Sequence, residues 1–177
     1  MQRLNAGQGG AVAPLLVIGI GNPSRGDDAI GPLAIERLEA MDLPGVELLT
    51  DFQLQVEHAL DLLGRREVIF VDAAVAGDGA FSFDPITPEA DQGATTHALA
   101  PAAVLDVYRR YTDAPLPAAR VLAVRGVEFE LGAPLSEAAA RNLDAALEAL
   151  VAHLAGDSAR RGPEAVRTVR RRPQGAL

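Results

Sequence analysis

The sequence contains no cysteine and no lysine, and all 16 of its formally cationic residues are arginine. The first absence excludes disulfides, thiolate zinc cages and thiol nucleophiles. The second excludes Schiff-base chemistry and lysine-activated nucleophiles. Tryptophan is missing too, and aromatics make up only 4% of the chain, too few for the stacking platforms that grip single-stranded nucleic acid. No apolar run is long enough to span a bilayer: the longest, Ala11–Ile20, has ten residues and is interrupted by Pro14. It follows Arg3, as the core of a secretion signal does, yet no small-residue cleavage site comes after it. A buried strand is the better reading, in a cytoplasmic protein with no membrane and no nucleic-acid partner.

What is present fits one domain. The chain has 177 residues, 49% apolar and 23% charged, values ordinary for a globular protein. Its net charge of −8 is uneven. Residues 156–177 hold six Arg against Asp157 and Glu164, so the rest carries ten Arg against 22 acidic side chains, a net of −12. A body that acidic repels phosphate backbones and favours cations or basic peptides. The expected organisation is a flexible leader over residues 1–13, one domain over 14–155 and a flexible Arg-rich tail over 156–177, in a monomer.

Within the domain, apolar runs alternate with helical periodicity. Leu15–Ile20 reads as a buried strand that stops at Gly21-Asn22-Pro23. From Ala29, Ile30, Leu33, Ala34, Arg37 and Leu38 recur at helical spacing, with Asp27 or Asp28 as a ready N-cap and Asp27 the preferred one. Val46–Leu49 and Val68–Val71 read as strands, the latter ending on Asp72; Ala80–Phe83 reads as an edge strand and Arg120–Val124 as another strand. Helices are predicted over 55–63, from Pro101 to about Tyr111, and over 136–154. Doubly buried strands alternating with helices predict a three-layer α/β/α sandwich around a mainly parallel, twisted sheet of about five strands. With a strand order beginning 2-1-3, the ends of the first and third strands flank one crevice.

Three polar features fall at that edge. Asp27-Asp28 follows the glycine-rich turn after the first strand, Asp72 ends the third, and His97 lies in Thr95-Thr96-His97 just ahead of Pro101. Two carboxylates and an imidazole form an O/O/N donor set suited to a borderline divalent ion such as nickel or zinc, at about 2.0–2.2 Å for zinc. The bland alternatives are a helix cap for Asp28, a strand-end residue for Asp72 and a solvated loop side chain for His97. His58 and His153 fall in helical patterns and are expected at the surface or its boundary. The string GIGNPSRG is not a dinucleotide-binding loop, because Ser24 stands where the third glycine belongs.

The segment Val17-Ile18-Gly19-Ile20-Gly21-Asn22-Pro23-Ser24-Arg25-Gly26-Asp27-Asp28-Ala29-Ile30-Gly31-Pro32 closely resembles the opening motif of the NiFe-hydrogenase maturation endopeptidases. Val71-Asp72-Ala73 and residues 95–97 fall where that family has its two other signatures. The resemblance covers roughly Leu15 to Leu154. It implies an endopeptidase that removes the C-terminal extension of a nickel-loaded hydrogenase large-subunit precursor. It implies Asp28, Asp72 and His97 as the metal-contacting residues, with nickel supplied by the precursor. In one respect the chain departs from the common pattern: Thr50-Asp51-Phe52-Gln53-Leu54-Gln55-Val56-Glu57-His58 replaces a Gly-Gly-Thr-type turn. That version resembles the branch serving soluble NAD-linked hydrogenases, and it implies that residues 51–58 help choose the precursor. For the cut itself, the candidates are a metal-polarised carbonyl or water, and Asp28 or Asp72 as a catalytic general base. Two other functions compete: a nickel-binding checkpoint or carrier that cleaves nothing, and a general metallohydrolase acting on small substrates.

Overall fold

Leu15–Ile20 offers no polar face to solvent and forms β1, buried along its whole length. Alternate residues serve opposite faces of the sheet. Leu15 and Val17 join one apolar cluster, and Leu16, Ile18 and Ile20 join another. The computed structural model describes residues 12–90, 99–159 and 168–169. The elements that follow are α1 (Ile30–Glu39), β2 (Val46–Asp51), α2 (His58–Asp61), β3 (Glu67–Ala74), β4 (Phe81–Pro85), α3 (Pro101–Tyr111), β5 (Ala118–Arg125), α4 (Glu137–Ala159) and β6 (Thr168–Val169).

The strands form one sheet in the order β4-β5-β3-β1-β2-β6. Every pairing is parallel except that of β4 with β5. Residues of α1 and α4 meet one face of the sheet, Ile35, Leu38, Leu143 and Leu150 among them. Residues of α2 and α3 cover the other, with Ala59, Val104, Leu105 and Tyr108 against Phe70 and Ile18. This is the expected α/β/α sandwich. The chain steps from β1 to β2 on one side and returns past β1 to β3 on the other, so strand order reverses at β1. The carboxyl ends of β1 and β3 therefore border a crevice of the kind that holds ligands in open α/β sheets. Among the described residues, no helix is long and apolar enough to cross a membrane.

Several boundaries differ from the sequence reading for identifiable reasons. Strand β3 does not end at Asp72. Its pairing with β1 stops at Gly19 and Val71, but β5 continues to supply partners as far as Ala74 opposite Arg125. Asp72 thus sits inside a strand, just beyond the last residue of β3 that pairs with β1. Helix α2 is a single turn, because His58, Ala59 and Leu60 donate three residues back rather than four and Gly64 adopts a φ of 74°. Helix α4 runs to Ala159, past the expected domain end at 155. Thr168–Val169, read as tail, instead pairs with Glu47 and Leu48 of β2. Of the expected leader, Ala13 is buried and its carbonyl accepts from Arg65 at 2.7 Å; residues 1–11 lie outside the described residues.

Candidate active site at the carboxyl edge of the sheet

Asp28 belongs to the turn that leaves β1. Gly21 enters that turn with a φ of 135°, a region that favours glycine. A Cβ there would overlap the carbonyl of Asp28. Farther round, Asn22 N–H donates to Asp28 Oδ2 at 2.9 Å, and Ser24 N–H donates to Asn22 Oδ1 at 2.9 Å. The turn closes on the Asp28 carboxylate and holds it half-buried at the sheet edge.

Asp72 arrives from β3, with Ala73 N–H donating to its Oδ1 at 2.8 Å. Burial raises its carboxyl, the Ala73 N–H draws it down, and the Asp28 carboxylate nearby raises it again; the result is about 6. Two acids from separate motifs are thus close enough to feel each other's charge. Near neutral pH, Asp72 is mostly ionised but takes a proton readily.

Asp27 does something the sequence reading missed. It was expected to cap α1, but the helix start carries no side-chain cap. The carboxylate is 0% exposed and reaches across to the loop between β5 and α4. Val127 N–H and Glu128 N–H donate to Oδ2 at 2.7 and 2.9 Å, Ser136 N–H donates to Oδ1 at 2.7 Å, and the Ser136 hydroxyl donates to Oδ2 at 2.9 Å. Ser136 Oγ in turn accepts from Ala139 N–H, capping α4. Burial works against the charge of Asp27, but the backbone donors and the hydroxyl more than offset it, and its carboxyl is held below the usual range.

The segment after β2 contains a second unanticipated arrangement. His58, expected near the surface, is 0% exposed. Its Nδ1 accepts from Gln55 N–H at 3.0 Å, which leaves the ring proton on Nε2, 3.4 Å from Asp51 Oδ2. Asp51 Oδ1 accepts from Phe52 N–H at 2.7 Å, and Gly21 N–H donates to the Asp51 carbonyl at 3.1 Å. His153 does sit at the boundary, its Nε2 3.0 Å from Glu67 Oε1, where it ties α4 to β3.

His97 lies outside the described residues. The chain resumes at Leu99, whose N–H donates to the carbonyl of Leu54, just after β2, at 2.9 Å. Among the described residues, no three acids or histidines are grouped to hold one metal ion. Of the three residues implied as metal-contacting, Asp28 follows β1 and Asp72 lies near the end of neighbouring β3, Asp28 near enough to raise the Asp72 carboxyl.

No protein-family model matches the sequence, and no curated protein matches it. Solved structures do match. The hydrogenase maturating endopeptidase HybD from Escherichia coli is 26% identical, with a TM-score of 0.66 over 81% of this chain and 93% of that one. The NiFe hydrogenase maturation protease HycI from Thermococcus kodakarensis is 26% identical, with a TM-score of 0.61 over 80% of this chain and 92% of that one. In sequence and fold the chain is similar to these hydrogenase maturation endopeptidases. Like these structural neighbours, it is a hydrolase. A hydrogenase 2 maturation peptidase from a Thaumarchaeota archaeon shares the fold at 22% identity, with a TM-score of 0.59 over 79% of this chain and 97% of that one. In this chain, Asp28 belongs to the turn after β1 and Asp72 to the part of β3 that extends past its pairing with β1.

Proposed function

We propose that this endopeptidase removes the C-terminal extension of a NiFe-hydrogenase large-subunit precursor and recognises the precursor by its nickel. Asp28, Asp72 and His97 are the three ligands it offers to that ion. The observation that supports the reading is the placement of Asp28 after β1 and Asp72 in β3 at one edge of the sheet, near enough that the Asp28 carboxylate raises the Asp72 carboxyl. Like charges brought together without a cationic partner cost free energy, and an incoming cation relieves that cost. For His97, support comes from Leu99, two residues on, bonded at the same edge of the sheet.

Nickel enters as part of the substrate, already held by the precursor, so no resident metal is needed. Three additional ligands dock a loaded precursor and offer nothing comparable to an empty one. Asp28 and Asp72 are also the candidate bases for the attacking water. A carboxyl near 6 suits Asp72 to take the proton of that water and return it to the departing amine. Residues 50–58 support assignment to the branch that serves soluble NAD-linked hydrogenases, since they replace the commoner turn with a segment organised by Asp51 and His58.

The test is to incubate the protein with nickel-loaded and with nickel-free precursor and to measure the product mass. Loss of the extension from the loaded form alone is expected. Unchanged mass in both cases favours a checkpoint that binds without cutting, and equal cleavage of both removes nickel from the recognition.

A further inference from the structure

Besides its acids, the carboxyl edge of the sheet carries large apolar side chains that face solvent. Phe52 follows β2, Val75 follows β3, Val127 follows β5, and Leu131 projects from the loop between β5 and α4. Val75 and Leu131 are 76% and 79% exposed. Scattered exposed hydrophobics are ordinary, but these stand at successive strand ends around one pair of carboxylates.

The loop bearing Val127 and Leu131 is also fixed in place. Asp27 holds its backbone at Val127, Glu128 and Ser136. Arg25 Nε donates to the Phe129 carbonyl at 2.9 Å, Gly132 N–H to the Ser24 carbonyl at 2.7 Å, and Gly26 N–H to the Ala133 carbonyl at 3.0 Å. A loop ordered in the free protein loses little further entropy when a partner arrives, so its apolar side chains deliver more of their burial energy to binding. Glu128 and Glu130, both exposed, alternate with the apolar residues. The surface therefore suits a protein patch that is apolar at its centre and basic around it. A second copy of this chain is a poor occupant, because it brings the same acidic edge.

We infer that Phe52, Val75, Val127 and Leu131, with Glu128 and Glu130 between them, form the docking surface for the folded body of the large-subunit precursor. The inference rests on the function proposed above and adds to it: the cation tells loaded from empty, and this surface supplies affinity for the protein as a whole. Asp27 is then a positioning residue, setting the docking loop at a fixed place relative to its neighbour Asp28.

The probe is the NiFe-hydrogenase large-subunit precursor encoded in the same genome, loaded with nickel. Its binding and processing are compared for the unaltered protein, a Val127→Asp/Leu131→Asp double variant, a Glu128→Gln/Glu130→Gln double variant, and Tyr111→Ser as a control at the other edge of the sheet. The apolar double variant is expected to bind about tenfold or more weakly with Tm unchanged, since central apolar contacts dominate such interfaces. The glutamine variant is expected to lose most of the salt dependence of binding, and Tyr111→Ser to match the unaltered protein. Processing by the unaltered protein with undiminished binding by the apolar variant overturns the docking surface and leaves the protease reading standing. Absence of precursor binding by the unaltered protein overturns both.

Discussion

Replacing Asp72 with Asn keeps the shape of the side chain while removing a charge that burial and Asp28 both disfavour. The folded-state value, about 6, lies above the ordinary 3.8. The protonated form therefore stabilises the fold below about pH 4, and that contribution is lost as pH rises through 6. Because Asn resembles the protonated acid at every pH, Asp72→Asn should match the parent below pH 4 and exceed it by about 1–2 kcal/mol above pH 6. Processing should be lost in the same variant. Thermal unfolding across pH checks the first expectation, and a parent at least as stable as the variant at pH 7 contradicts it. Asp27 has the opposite sign. Its lowered value gives stability that is complete above the unfolded pKa and is lost as pH falls through the folded one. Asp27→Asn should cost roughly 3 kcal/mol at pH 7, because a buried carboxylate with four donors becomes a group that must present some of them with an amide. The two neighbours in Gly26-Asp27-Asp28 thus divide the work, and sequence could not say how. Which acid faces inward is decided by the loop before α4, whose sequence lies a hundred residues away.

The turn between β1 and α1 does at the scale of an element what Asp27 does at the scale of a residue. Gly21 and Gly77 both have φ close to 135°, but only at Gly21 does an added Cβ meet another atom, the Asp28 carbonyl. Gly77→Ala should therefore cost about 1 kcal/mol of backbone strain and leave processing intact, while Gly21→Ala adds the collision, displaces Asp28 and abolishes processing. Equal effects on Tm and on processing would show that close approach at Gly21 is unimportant. Strands and helices buried on a regular period were legible: β1, α1, α3 and the apolar stripe of α4 follow directly from residue spacing. Less legible were features set by a neighbour. Asp72 reads as a strand end because VIFV stops being apolar there, yet β5 extends the ladder to Ala74. His58 reads as a helix-face residue because nothing local announces that a single turn will fold its ring under Asp51. The alternation Val127-Glu128-Phe129-Glu130-Leu131 was passed over in the sequence, because its placement depends on Asp27 holding the loop against the motif turn.

For the whole molecule, the reversal of strand order at β1 places two short, distant motifs at one edge of the sheet. Parallel strands deliver their carboxyl ends to a common edge. The 2-1-3 order, taken as a condition when reading the sequence, is the order the sheet adopts around β1. At the opposite edge Arg65 pairs with Glu47 and His153 Nε2 lies 3.0 Å from Glu67 Oε1. The central claim is that this edge grips nickel held by the precursor, and the most direct measurement is the ratio of affinities for loaded and empty precursor, taken with the unaltered protein and with His97→Ala. A preference of about a hundredfold for the loaded form, equivalent to roughly 2.7 kcal/mol, is predicted for the unaltered protein, with most of it gone in the variant. Equal affinity of the unaltered protein for both precursors contradicts the account.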